Sequence, residues 1–126
     1  MSLAASAQNA RQLTKVSIPH MKLFKKIEEI YPIALLEHQI GYFCVDILVG
    51  DFVIEVDGDF WHANPVVQGD KPLKPVQQKN LANDRRKDGY IAARGMTMIR
   101  VWENDINKNI DCCIARIRGE IDARYL

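Results

Sequence analysis

Glu55-Val56-Asp57-Gly58-Asp59-Phe60-Trp61-His62 puts three carboxylates, two aromatic rings and a histidine within eight residues, directly after an apolar run that reads as a strand. Acids at the end of a buried strand do not serve stability, because buried charge is costly unless it is paired or binds metal. Asp46 repeats the anomaly inside the preceding apolar run Cys44-Val45-Asp46-Ile47-Leu48-Val49. Asp84 opens the cluster Asp84-Arg85-Arg86-Lys87-Asp88. Carboxylates suit a hard cation, a histidine can activate water or protonate a leaving oxygen, and arginines grip phosphate. Together they point to metal-assisted cleavage of nucleic acid.

These residues need a frame to position them. Ser17-Ile18-Pro19 reads as a helix start, with Met21, Leu23, Phe24, Ile27 and Ile30 following at helical spacing and Pro32 ending the run. Residues 34–40 read as a short strand, and Tyr42 to Val49 and Phe52 to Val56 as a hairpin turning at Gly50-Asp51. Residues 58–76 read as a long loop, which in a compact domain is more often functional than idle. A helix follows from Gln77 to Arg94 with Leu81, Tyr90, Ile91 and Ala92 on its apolar side. Met96 to Trp102 reads as a strand, and a last helix runs from about Ile106 to Ile121. The order implies an α/β fold, a mixed sheet flanked by helices, with its last strand joined through a crossover helix.

On this frame Asp46 and the Glu55–Asp57 segment lie on paired strands and can converge on one Mg²⁺, which takes a few carboxylates plus water and phosphate oxygens. Glu55 and Asp57 point to one face, Val56 to the other, and the Val56 carbonyl can still join the cation. Asp57-Gly58 equally suits a plain strand-ending turn. Asn80, Asp84 and Lys87 share a helix face, whereas Asp88 reads as a solvated local ion-pair residue. Phe60 and Trp61 are candidates to stack on or wedge between bases. Arg85, Arg86, Lys87 and Lys79 are candidate phosphate contacts.

Composition bounds the rest. The chain has 126 residues, enough for one domain with a core, and its 48% hydrophobic and 26% charged content is that of a soluble globular protein. No apolar run is long enough to span a membrane, and the N-terminus lacks an apolar signal core, which points to an intracellular, cytoplasmic protein. Residues 1–16 read as a disordered segment and 17–126 as the domain. The three cysteines suggest reduced, mostly buried thiols, and with His20, His38 and His62 they match no zinc spacing. The net charge of +1 hides a segregation: residues 28–70 hold nine acids and no Lys or Arg, while residues 71–100 hold eight basic residues against Asp84 and Asp88. An acidic segment between basic ones fits a cation site set in a phosphate-binding surface.

Asp46, Glu55 to His62, Asn83-Asp84-Arg85-Arg86-Lys87-Asp88, Arg94-Gly95 and Ile99-Arg100-Val101-Trp102-Glu103, in this order, resemble the very-short-patch-repair (Vsr)-like endonucleases and their phage homing-endonuclease relatives. The resemblance covers about residues 17–105. It implies a PD-(D/E)XK nuclease-like αβββαβ core, a Mg²⁺-dependent DNA endonuclease, and double-stranded DNA as partner in a nucleoid-associated or phage-encoded setting. Carried over by position, Asp46 and the Val56 carbonyl bind Mg²⁺, His62 is the catalytic histidine, and Asp84 is its carboxylate partner or a water-positioning acid. Phe60 and Trp61 stand where the repair enzyme wedges aromatics into DNA. Asp57 stands where the superfamily has lysine, which moves proton handling to His62.

The pattern departs in three ways. The repair enzyme's N-terminal helix glutamate corresponds to His20, so either His20, Glu29 or Glu37 fills that role or the site works without it. A zinc ligand is replaced by Asp59, so no structural zinc is expected. Loss of that architecture weakens mismatch recognition and favours the homing branch, where a fused or separate segment reads DNA. The chain is then a stand-alone nuclease or the catalytic part of a larger protein. The rival readings are a catalytically inactive nucleic-acid-binding module that keeps the nuclease fold, and an RNA-directed nuclease. Oligomeric state stays open.

Overall fold

Ser17 begins the first helix as its sequence requires. In the computed structural model, which describes residues 16–125, the Ser17 hydroxyl accepts from the His20 amide at 3.3 Å and proline stands in the first turn, where a missing N–H is no loss. The N-terminal segment expected to be disordered falls, but for Val16, on residues 1–15 and lies outside the described residues. Helix α1 spans Ile18–Ile30. Leu23 and Ile27, one turn apart, are fully covered by the sheet, each stabilising the fold by about 2 kcal/mol.

Strands β1 (Leu35–Ile40), β2 (Phe43–Val49) and β3 (Phe52–Asp57) form two antiparallel hairpins. Their turns pass through Gly41 and Gly50, at φ of 56° and 60°, where L side chains are disfavoured. A Cβ on Gly41 would also collide with the Tyr90 hydroxyl. Helix α2 (Pro65–Gln68) and helix α3 (Pro75–Ala93) precede β4 (Thr97–Trp102), which lies parallel to β3. Helix α4 spans Glu103–Tyr125. The sheet order is β1-β2-β3-β4, a mixed sheet as the sequence implied.

Two layers of helix cover the sheet. Ile47, Val49, Phe52, Ile54, Ile99 and Val101 pack on one face against Leu23 and Ile27 of α1 and Ile106, Cys113, Ile117 and Ile121 of α4. A smaller cluster of Ile40, Val45, Val53 and Ile91 lies on the other face, under α3. Only Gln77 and Ile91 of α3 are buried. A helix this poor in buried apolar groups is not held to the sheet by hydrophobic packing alone, and polar contacts supply the rest.

The structure corrects several local expectations. The expected loop 58–76 contains α2, and α3 starts at Pro75 rather than Gln77. Pro65 and Pro75 occupy first-turn positions of these helices, and the Asn64 side chain caps α2 by accepting from the Val66 amide. Helix α4 starts at Glu103, directly after β4, and is interrupted at Asn109 (φ −159°, ψ 85°), whose side chain accepts from the Cys112 amide to start the next segment. Ala92 is exposed rather than on the packed side of α3, and Cys112 is exposed rather than buried.

One feature of β1 and β2 matters for the site. Leu36 and Ile47, paired in register, pack with the α1/α4 layer. Ile40 and Val45, each an even number of residues further along, pack on the α3 side. Strict alternation would keep them on the same face. The pleat therefore reverses between these pairs, at Glu37 and the Asp46 that faces it. Glu37 has a left-handed φ of 53°, unusual for a residue with a long side chain.

Candidate active site

Beyond the reversal, β2 and β3 part. Their paired residues end at Ile47 and Ile54. Asp46, Glu55 and Val56 lie where the ladder would have continued, and side chains take over its hydrogen bonds. The Val56 amide donates to Asp46 Oδ2 at 2.8 Å, and Lys87 Nζ donates to the Cys44 carbonyl at 2.7 Å. Lys87 also lies against Glu55 Oε1. Two strand groups that would otherwise be unpaired are thus satisfied by an acid and a lysine. Lys87, a candidate phosphate contact by sequence, is only 17% exposed and engaged inside the sheet gap instead.

Burial and mutual proximity govern the acids of this gap. Desolvation, and then hydrogen bonding to and repulsion from Asp46, push the Glu55 carboxyl up to about 8, against the smaller opposite effect of Lys87. Asp46 is also raised by burial, while its hydrogen bonds from Glu55 and the Val56 amide oppose the rise. The pair thus favours a bound proton more than free carboxylic acids do, Glu55 being pushed up to about 8. Such a pair of oxygen donors fits a divalent cation, which can neutralise the pair in place of the proton.

A second group lies at the carboxyl end of β3, beside the end of the parallel strand β4. His62 Nδ1 lies 2.6 Å from Asp84 Oδ2, so the carboxylate accepts the Nδ1 proton and Nε2 is left as the basic nitrogen. Asp57, His62 and Asp84 bring potential ligand atoms within 4.8 Å of one another. Arg100 of β4 already stands among the acids. Its guanidinium donates to Asp57 at 2.9 and 3.2 Å and to Asp88 at 2.7 and 3.0 Å, and lies 3.6 Å from Asp84 Oδ1. Burial pushes Asp57 up to about 6, opposed by Arg100 and His62. The three acids raise Arg100 further above its ordinary range, outweighing its own desolvation.

Arg100 was not singled out in the sequence, yet it bears the signal that picked out Asp46, a charge inside an apolar strand. Asp88, expected to be a solvated helix residue, instead spans to this strand. Glu55 and Asp57 do share a face, and Asn80, Asp84 and Lys87 share the inner side of α3. Asn80 Nδ2 donates to the Trp61 carbonyl at 2.9 Å, and the buried Gln77 donates to the Phe60 carbonyl at 2.7 Å.

These bonds fix the backbone of the aromatic loop while its rings point outward. Phe60 and Trp61 are 42% and 54% exposed, stacked edge-to-face at 5.0 Å, too open to serve as core. Asp59 Oδ1 accepts from Asn64 Nδ2 at 2.9 Å and from the Asn104 amide at 3.2 Å, tying the loop to the start of α4. Arg85, Arg86 and Lys79 are exposed on α3, as phosphate contacts would be.

His20, Glu37 and Asp46 form a further group, with potential ligand atoms within 4.8 Å of one another. His20 is buried, and Glu29 is exposed on α1. Cys44 Sγ donates to Glu37 Oε2 at 3.3 Å, and burial and Glu37 together push its thiol up to about 12, leaving it unreactive.

No family model matches the chain. Over 73 residues it is 30% identical to the type II nicking enzyme V.NmeDIP of Neisseria meningitidis serogroup C, an alignment covering 52% of this chain and 49% of that protein. The chain thus spans about half the length of this curated relative. Among solved structures it resembles the catalytic domain of the homing endonuclease I-Bth0305I, with a TM-score of 0.55 and 18% identity, over 84% of this chain and 91% of that domain. The fold is therefore that of a homing-endonuclease catalytic domain, and the kinship to a nicking enzyme agrees with the resemblance to the Vsr-like, homing branch of nucleases that the motifs carry.

Proposed function

We propose that the chain is a Mg²⁺-dependent DNA endonuclease that hydrolyses phosphodiester bonds, acting alone or as the catalytic part of a homing-type or repair-type enzyme. The observation that carries this reading is one continuous set of groups at the parting of the sheet: the Asp46–Glu55 pair, then Asp57, then His62 held by Asp84. Asp46, Glu55 and the Val56 carbonyl would hold the cation, which when bound supplies Lewis-acid polarisation of the scissile phosphate.

The remaining steps belong to the chain's own side chains. Asp84 fixes the His62 tautomer, so that Nε2 can take a proton from attacking water or, once protonated, give one to the leaving oxygen. Lys87 holds Glu55 in place and adds fixed positive charge beside the Asp46–Glu55 pair. Arg85, Arg86 and Lys79 grip backbone phosphates, and the fixed loop presents Phe60 and Trp61 to the bases.

Cleavage of supercoiled plasmid tests this, in Mg²⁺ and in EDTA, for the parent, Asp46→Ala and His62→Ala. Nicking or linearisation that needs Mg²⁺ and is lost in both variants is the expected result. Equal activity of Asp46→Ala and the parent would sink the proposed site. The rival reading, a binding module without catalysis, draws on His20 standing at the repair enzyme's helix-acid position. It predicts a parent that binds DNA, cuts none, and keeps its affinity in His62→Ala.

A further inference from the structure

We infer that Glu37, on β1, replaces the missing helix acid and completes the donors around Asp46, beside the buried His20 nitrogen. The inference rests on the nuclease reading above and deepens it.

Three segments bring this group together. His20 comes from α1, Glu37 from β1 and Asp46 from β2, with side-chain exposures of 7% for His20 and 20% for Glu37. Glu37 faces Asp46 across the β1/β2 ladder, between the pairs Leu36–Ile47 and His38–Val45. Glu29, the other acid within sequence reach, is exposed on α1 and takes no part.

The hydrogen bonding of His20 shows what is missing. His20 Nε2 lies 3.2 Å from the Asp46 carbonyl oxygen, which can only accept, so Nε2 carries the proton. The other ring nitrogen, Nδ1, points toward β1. It faces Glu37 Oε1 at 3.7 Å, beyond the hydrogen-bonding limit of about 3.5 Å. Nδ1 and Glu37 Oε1 thus face each other beside the Asp46 carboxylate without a direct hydrogen bond. A divalent ion, or water bound to one, fits that arrangement of one nitrogen and two carboxylates.

The backbone gives a separate reason to regard Glu37 as more than filler. Its left-handed φ is disfavoured for a residue with a side chain, and glycine would relieve it. Retained strain of this kind concentrates where a side chain has to be aimed. Here it aims a carboxylate at the place where the sheet reverses its pleat and opens.

Mn²⁺ binding by the whole chain, followed by electron paramagnetic resonance, tests the inference alongside plasmid cleavage. Glu37→Gln should weaken Mn²⁺ affinity by about tenfold or more and depress cleavage in parallel, with its melting temperature retained. The double change His20→Glu with Glu37→Gln returns the acid to the helix and should recover most of the lost affinity, which a purely structural His20–Glu37 contact would not do. Parental Mn²⁺ affinity in Glu37→Gln overturns the inference and leaves the nuclease reading standing. If Glu37→Gln does not fold, the double variant decides: folded with restored affinity supports the inference, folded without it overturns it. An Asp46→Ala chain that binds Mn²⁺ and cuts like the parent overturns both readings at once.

Discussion

Replacing Glu55 by glutamine should change the sign of an intuition about buried acids. Glu55 is almost wholly enclosed, and its carboxyl is pushed from an ordinary 4.5 up to about 8, first by desolvation and then by Asp46. A raised carboxyl binds its proton more tightly in the folded chain than in the unfolded one. Its contribution to stability is therefore complete below about pH 4.5 and is lost as pH rises toward 8. At about 1.4 kcal/mol per pH unit, that interval corresponds to about 5 kcal/mol as an upper bound, and Lys87 keeps part of it by pairing with the anion. Glutamine mimics the protonated acid and can still donate to Asp46, so it should show no such loss. Urea unfolding in EDTA, followed by tryptophan fluorescence between pH 4.5 and 8.5, measures the difference directly. The two proteins should be similar at the acid end, with Glu55→Gln the more stable at pH 8 by about 3–5 kcal/mol. Asp57 is raised in the same direction but is present in both chains, whereas Asp46 is coupled to Glu55, so the difference reports the Asp46–Glu55 pair. Parallel profiles across the whole range would refute the reasoning.

Arg100→Gln removes the cation shared by Asp57, Asp84 and Asp88, and should destabilise the fold by about 2–4 kcal/mol at pH 7 as well as lowering cleavage through His62. Denaturation and nicking rates measured together check both halves. Trp61→Ala should leave stability within about 0.5 kcal/mol, because the ring is largely exposed, while weakening DNA affinity by about 1–3 kcal/mol in a fluorescence-anisotropy titration. Asp59→Ala frees the aromatic loop from Asn64 and Asn104 and should lower stability by about 1–3 kcal/mol, a change that differential scanning calorimetry resolves.

The strands, α1, the mixed sheet and the crossover were legible because each rests on local periodicity and turn chemistry. So was the inner face of α3, since the spacing of Asn80, Asp84 and Lys87 alone puts them on one side of a helix. What those residues touch was not legible. Whether Lys87 turns out to phosphate or in to Glu55 depends on β2 and β3 parting, and that parting depends on a backbone reversal at Glu37. No residue-type preference announces a left-handed glutamate inside a strand. Asp88 misled for a related reason: its partner lies twelve positions on, at Arg100, and local helix pairing was the simpler reading. Pro65 and Pro75 fall within what reads as a loop, because sequence alone does not separate a loop proline from one that opens a helix.

The substitution of a side chain for a strand partner at Val56 makes one peptide group a reporter of the site's condition. In an unbroken ladder, that amide would exchange its hydrogen with solvent only when the sheet opened. Here its acceptor is Asp46 Oδ2, a group that must trade partners whenever it loses a proton or gains a ligand. Its protection therefore follows the occupancy and charge of Asp46, while that of its neighbour Ile54, inside the paired region, follows the global stability of the domain.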